Sequence, residues 1–156
     1  MNELSTTIAG GLIHYFEEFN GRVRRMAAQL NEEQFWTNPY EYGNSFGNLV
    51  LHLTGNLNYY IGTQLAGTGY VREREREFAD RLVGQKEQVL QQLDAAVAMV
   101  VETLGRQTDA DWAREYSAVG VDDVHGRYNA FLRCAVHFHH HVGQMIYLTK
   151  ELTKAN

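Results

Sequence analysis

Apolar residues recur every three or four positions along four long segments of the chain. Because an α-helix turns about 100° per residue, this spacing places them on one face of each segment. We therefore predict four amphipathic helices, over residues 3–30, 45–66, 85–105 and 126–152. No segment alternates convincingly between apolar and polar residues as a strand does. The pattern thus predicts an all-α protein built as a four-helix bundle with long connections.

The connections between these helices differ in length and composition. The second helix is expected to begin at Asn44 or Ser45, either of which can serve as its N-cap. Residues 31–44 are unusually aromatic, which is typical of a loop packed over one end of a bundle; the alternative is a wall of a ligand pocket. Residues 106–125 form a long connection, within which residues 111–115 are expected to make a helical turn.

A run of alternating arginines and glutamates follows the second predicted helix, between Val71 and Phe78. If this segment is extended, its arginines lie on one side. Runs of charge are usually solvated turns, and this is the simplest interpretation. The alternative is that Arg72 or Arg74 reaches over a neighbouring site and binds the anionic group of a substrate.

Composition and charge limit the classes of function. The chain has 156 residues, 44% of them hydrophobic and 21% charged, which predicts one ordinary globular domain over residues 1–156. Its net charge of −5 argues against nucleic acid or an anionic membrane surface as the main partner. A single cysteine, no visible signal peptide and no apolar stretch near ~18 residues predict a cytoplasmic protein.

Histidines are concentrated in the last predicted helix, where four of the chain's seven lie between His137 and His141. Residues four apart share a helical face, so His137 and His141 can bind one metal ion together. His140 lies near that face, whereas His139 points away. The alternative is a histidine run exposed on a helix. No glutamate follows His137, so the hydrolytic mechanism of zinc proteases would lack its base.

A third metal ligand must come from another helix. His52 lies on or near the apolar face of the second helix, where it is either a hydrogen-bonded core histidine or a ligand. Asn56, one turn later, could hydrogen-bond the second ring nitrogen of His52 and fix the tautomer that a metal needs. Three imidazoles would leave coordination positions open, as catalytic zinc sites do. Cys134, one turn before His137, is either an inert core thiol or a fourth group near the metal.

Two segments, residues 48–56 and 137–148, resemble the DinB/YfiT-like superfamily. In that superfamily, one histidine on the second helix and a His-x-x-x-His pair on the last helix bind a divalent metal. The motif His-Leu-Thr-Gly-Asn at 52–56, followed by the charged run at 72–78, resembles more narrowly a bacterial subgroup without an assigned function. Where many members have His-Arg-Gly-Gln, this chain has His-Val-Gly-Gln at 141–144, so any role of that arginine is absent here.

The resemblance implies a bundle of the DinB/YfiT-like type, with His52, His137 and His141 as ligands of a divalent metal. Zinc or nickel is the expected ion and iron or manganese the alternative, since three imidazoles suit several metals. The candidates for supporting these ligands or contacting a substrate are Asn56, His140, Gln144, Arg72 and Arg74.

The resemblance also implies a class of activity and an assembly. Characterised relatives include thiol-dependent transferases, which predicts a metal-dependent enzyme, such as a thiol S-transferase or a hydrolase, acting on a small molecule. A low-molecular-weight thiol is a candidate substrate. The alternative is a non-catalytic, stress-associated protein in which the metal staples helices together. A homodimer is expected, and the tyrosines and tryptophans in the connections agree with an interface.

Overall fold

A computed structural model describes residues 3–154 of the chain. All regular secondary structure in this range is helical, and its β-type pairing is limited to an isolated antiparallel bridge between Glu115 and Gly126. Within the same residues, no helix is both long and apolar enough to span a membrane. The elements follow in the order α1 Glu3–Ala27, α2 Glu32–Trp36, α3 Phe46–Leu57, a π-helical segment Asn58–Ala66, α4 Arg74–Ala79, α5 Lys86–Gly105, α6 Asp109–Trp112 and α7 Arg127–Thr153. The prediction of an all-α protein is confirmed.

The second predicted helix has the expected extent but not a uniform geometry. It begins at its cap, where Ser45 Oγ accepts a hydrogen bond of 3.1 Å from the backbone N–H of Asn48. After Leu57 the α-helix changes to the wider turns of the π-helical segment, a rare geometry that often marks functional sites. Gly67 ends the segment at a φ of 67°, a left-handed conformation that favours glycine.

The four long helices pack around a shared hydrophobic core. α1 lies against α5 and α7, and α3 lies against the same two helices. Phe16 of α1 faces Phe138 of α7 with ring centroids 6.4 Å apart. Leu53 of α3 and Leu93 of α5 are fully buried in the same core. Since each such side chain stabilises the fold by ~1.5–3 kcal/mol, the core keeps α3 and α7, which carry the candidate histidines, side by side.

The aromatic connection after α1 contains a short helix that the pattern did not predict. Asn31 begins α2 through a capping box with Gln34, in which each side chain bonds to the other residue's backbone N–H. Phe35 and Trp36 are buried, and an added Cβ at Gly47 would come within 2.5 Å of the Trp36 ring. This half of the connection therefore packs into the core, as expected for a covering loop.

The charged run is neither extended nor only a solvated turn, which corrects both expectations. It enters the short helix α4, and Glu77 on that helix is buried. Asn48 Nδ2 donates hydrogen bonds to the backbone oxygens of Glu77, at 3.0 Å, and Asp80, at 2.8 Å. These bonds hold the end of α4 against α3, next to His52.

The long connection between α5 and α7 contacts α1 near its start and the π-helical segment further along. The helical turn expected at residues 111–115 is present as α6, slightly earlier, and its Trp112 is buried. Trp112 Nε1 donates to Ser5 Oγ at 3.1 Å. Further along, Tyr116 donates its hydroxyl hydrogen to the backbone oxygen of Tyr60 at 2.9 Å. The connection thus supports the π-helical segment from outside.

Candidate metal centre

The ring nitrogens of three histidines meet between α3 and α7. His52 Nε2 lies 3.1 Å from His137 Nε2, and His141 Nε2 lies 3.1 Å from that same atom. One potential ligand atom from each of the three residues lies within 4.8 Å of the others. The fold therefore brings together the three histidines that were predicted as ligands.

The other two histidines of the run lie outside this cluster. His139 is exposed and packs on Phe19, with ring centroids 5.1 Å apart. His140 is also exposed, and its Nε2 lies 3.5 Å from Nε2 of Gln144. His139 lies two residues from both His137 and His141 and therefore points away from their shared face of α7, whereas His140 lies beside that face and contacts Gln144.

Burial sets the protonation state of the cluster. The pKa of His137 is lowered to about 3, mainly by burial and to a smaller extent by the neighbouring histidines. Burial likewise lowers the pKa of His141 to about 4, although its hydrogen bond with Gln144 acts in the opposite direction. Both rings are therefore neutral near pH 7, which is the state in which a ring nitrogen binds a metal.

A buried carboxylate orients His52. Glu77 Oε2 accepts a hydrogen bond of 2.8 Å from His52 Nδ1, which directs the unprotonated Nε2 into the cluster. Arg72 donates to both oxygens of Glu77, from Nε at 2.6 Å and from a terminal nitrogen at 2.8 Å. Burial alone would raise the pKa of Glu77, but the bonds from His52 and Arg72 outweigh it and lower that pKa. The carboxylate is therefore ionised.

A glycine makes room for this carboxylate. Gly55 lies three residues after His52 on α3, and a Cβ added there would overlap Oε1 of Glu77. The bare backbone of Gly55 thus lets α4 bring its glutamate close to α3.

This arrangement corrects one predicted contact and gives the predicted arginine Arg72 a partner. Asn56 makes no bond to the second ring nitrogen of His52, because Glu77 occupies that position. Arg72 lines the adjoining cavity, and its Nε and one terminal nitrogen are bonded to the carboxylate of Glu77. The same terminal nitrogen lies 3.4 Å from Nδ1 of His52, so Arg72 supports His52 mainly through Glu77. Arg74 is exposed, and its guanidinium lies 5.3 Å from the centroid of the Phe78 ring.

The two candidate ligands on α7 are held differently. His141 Nδ1 lies 2.6 Å from Oε1 of Gln144, which accepts its hydrogen and leaves Nε2 of His141 unprotonated. His137 Nδ1, in contrast, is buried and has no hydrogen-bond partner within residues 3–154. Gln144 therefore contacts one of the three clustered histidines, and its role in supporting a ligand or contacting a substrate stays a prediction.

The three donors fit a divalent transition metal. Metal–nitrogen bonds of about 2.0–2.1 Å place tetrahedral ligands about 3.3 Å apart, close to the two separations of 3.1 Å in the cluster. His52 and His141, bonded through Nδ1, both present Nε2 in the form that a metal requires. Three nitrogen donors also leave at least one coordination position for a small molecule or water.

A cavity of about 790 Å³ opens beside the cluster, which is ample for a small-molecule ligand. His52 and His137 form part of its wall, together with Tyr59 and Tyr60 of the π-helical segment. Arg133 of α7 lines the same cavity.

A smaller cavity of about 290 Å³ lies between the aromatic connection and α7. Tyr40 and Tyr42 stack in its wall with ring centroids 5.5 Å apart, and Gln144 lines it too. The alternative interpretation of the aromatic connection, a pocket wall, therefore describes its second half.

Two residues of this region, Arg133 and Glu77, were not predicted from the sequence. Arg133 could have been found, since it precedes His137 by four residues and so shares the ligand face of α7. Glu77 could not, because nothing in the sequence distinguishes it from Glu73 and Glu75 of the same run.

Cys134 belongs to the hydrophobic core and not to the cluster. Its exposed fraction is 2%, and burial raises the pKa of its thiol to about 12. The thiol is therefore protonated at neutral pH, which agrees with an inert core cysteine and not with a fourth metal ligand.

Comparison with known proteins gives one match. Neither the curated proteins nor the solved structures contain a match to this chain. A family model described as "Protein of unknown function (DUF1572)" matches residues 5–156, nearly the whole chain. The chain therefore belongs to the DUF1572 family.

Proposed function

We propose that this chain is a divalent-metal-binding protein of the DinB/YfiT-like superfamily that acts on a small molecule as a metal-dependent transferase or hydrolase. The packing of α1, α3, α5 and α7 around one core is compatible with the four-helix bundle of that superfamily. The observation that carries the proposal is the convergence of three ring nitrogens, from His52, His137 and His141, beside a cavity.

Some residues of the site would bind the metal, and others orient the residues that bind it. His52, His137 and His141 supply three nitrogen donors, and burial keeps the last two neutral. Glu77 and Gln144 fix the ring orientation and tautomer of His52 and His141. A divalent metal bound there would lower the pKa of a water or thiol that coordinates it. The adjoining cavity has room for a small substrate.

Zinc and nickel are the ions we propose first, with iron and manganese as alternatives. Imidazole nitrogen suits all of these ions, whereas magnesium and calcium prefer oxygen ligands. A low-molecular-weight thiol is the candidate substrate, because the resembling superfamily includes thiol-dependent transferases.

Turnover by metal-loaded protein tests this proposal. Protein purified without a metal-affinity tag is stripped with a chelator, reloaded with zinc or nickel, and incubated with bacterial low-molecular-weight thiols plus electrophiles, or with small esters and amides. We expect turnover that is lost on chelation and in His137→Ala but kept in His139→Ala. Metal-bound protein that turns over none of these compounds would count against the enzymatic proposal.

A second candidate is a non-catalytic metal-binding protein. It is favoured by the position of the cluster, which joins α3 to α7 across more than half of the sequence. A metal bound with a hundredfold excess over its Kd would stabilise the fold by about 2.7 kcal/mol. A large fall in Tm on chelation, without turnover in the screen above, would favour this candidate.

A further inference from the structure

The cavity beside the histidine cluster contains an arginine without an acidic partner. Arg133 forms none of the ion pairs found within residues 3–154. Its guanidinium carbon instead lies 5.5 Å from the centroid of the Tyr60 ring. Because Arg133 is one helical turn before His137, its charge lies next to the cluster. A half-buried guanidinium in this position is available to an anion.

An unsatisfied amide lies in the wall of the same cavity. Asn56 lines the cavity and is only 3% exposed, and its buried Oδ1 has no hydrogen-bond partner within the described residues. A buried polar atom without a partner is rare, because leaving it unpaired costs free energy. A ligand that donates an N–H or O–H hydrogen would satisfy it.

The charge of the cavity wall differs from that of the whole chain. The chain carries a net charge of −5, yet no aspartate or glutamate occurs among the described residues that line this cavity. The Arg72 charge is neutralised by Glu77, so Arg133 and the more exposed Arg74 give the wall its positive charge. Such a wall attracts anions to the cluster.

We propose that this cavity binds a small carboxylate that carries an amide N–H next to its carboxylate group. Arg133 binds the carboxylate through paired N–H donors, and Asn56 Oδ1 accepts the amide hydrogen. The Tyr60 ring packs against the Arg133 guanidinium, and the Arg72 guanidinium carbon also lies 5.7 Å from the centroid of that ring. This inference deepens the proposed function and rests on it, since it names the substrate class of that site.

Binding of N-acetylglycine to the full chain tests the inference, measured by calorimetry in metal-free and in zinc-loaded protein. We expect Arg133→Gln to weaken binding about tenfold or more in both forms, because a charge-assisted pair is lost. The control is Arg22→Gln on α1, which removes the same charge away from the cavity and should change affinity less than about twofold. Equal affinity of wild type and Arg133→Gln, or no binding by wild type, would overturn the inference.

Related probes test the chemical class of the ligand. Acetate lacks the N–H and should therefore bind to wild type more weakly than N-acetylglycine does. Because acetate makes no bond to Asn56, its affinity should be the same for Asn56→Ala and for wild type. Inorganic phosphate that binds more tightly than N-acetylglycine would overturn the assignment to carboxylates.

Zinc content is measured in the same samples. If zinc fails to bind wild type, the proposed metal function fails, whereas the anion site is still decided by the metal-free titrations. Arg133→Gln should retain its zinc, and loss of zinc together with anion binding would indicate a structural role and overturn the inference.

Discussion

At the residue scale, the orientation of His52 depends on one buried carboxylate. Glu77 binds both His52 and Arg72, so its replacement by glutamine weakens both contacts without changing its size. We predict that Glu77→Gln lowers zinc affinity about 10–100-fold, measured by competition with a chromophoric chelator. Glu75→Gln removes the same charge from an exposed position of α4 and is the control. Unchanged affinity in Glu77→Gln would show that the carboxylate does not orient the ligand.

The space beside Gly55 gives a second prediction about the same contact. Gly55→Ala should displace the Glu77 side chain and reduce zinc affinity to a similar extent. Because both substitutions act through one contact, the double variant should lose little more than either single one. Gly143→Ala is a matched control on α7, since an added Cβ there meets nothing within 4 Å. Fully additive losses would mean that Gly55 acts on zinc binding by another route.

How far the site could be predicted also differs between residues. The pair His137 and His141 followed from helical spacing, which fixes their shared face whatever the rest of the fold does. His52 on an apolar face could equally have been a core histidine, and its role as a ligand came from the resemblance. Glu77 becomes distinct only when α4 packs on α3, a tertiary event that leaves no periodic pattern in six residues.

At the scale of the elements, long helices were predictable and short ones were not. An amphipathic helix of 20 or more residues, such as α5, repeats its apolar positions often enough to be recognised. α2 and α4 have 5 and 6 residues, fewer than two turns, and are set by caps and tertiary contacts. The π-helical segment keeps an apolar face, so its sequence reads as a continuation of α3.

The packing of α1 against α5 includes an ionic network that is sensitive to acid. Arg24 donates to Asp94 at 3.1 Å, and Asn20 donates to the same carboxylate at 2.7 Å. The bond from Arg24 lowers the pKa of Asp94 below its usual 3.8. The stabilisation of the fold by this ion pair is therefore fully present above the usual pKa of Asp94. It is lost as the pH falls through the lower pKa that Asp94 has in the folded state.

Urea unfolding of Asp94→Asn measures this contribution. We predict a loss of about 0.5–1 kcal/mol at neutral pH, since the pair is partly exposed and screened by water. As the pH falls from about 4 through the lower pKa of folded Asp94, the variant should lose less stability than wild type. If the free energies of unfolding of wild type and variant fell in parallel with pH, the ion pair of Asp94 would not account for the loss of stability in acid.

At the scale of the whole molecule, one face of α7 exposes apolar side chains. Leu132, Val136 and Tyr147 are 40%, 62% and 71% exposed. Such a stripe is suited to contact with a second copy of the chain, as the family resemblance also implies. We predict by light scattering a mass twice the 17.8 kDa of one chain at micromolar concentration.

Val136→Glu should shift this dimer to the monomer, because it places a charge in the middle of the stripe. Val83→Glu, at a position that is 68% exposed and lies away from α7, should leave the mass unchanged. A wild-type mass of 17.8 kDa would contradict the dimer directly.

We propose that three histidines from α3 and α7 form one metal site, and the metal content of the protein and its variants decides whether they do. Protein purified without a metal-affinity step is incubated with zinc or nickel, dialysed and measured by elemental analysis. We expect about one ion per chain in wild type and in His139→Ala, and almost none in His52→Ala, His137→Ala or His141→Ala. Full occupancy in His52→Ala, or no uptake by wild type, would contradict it.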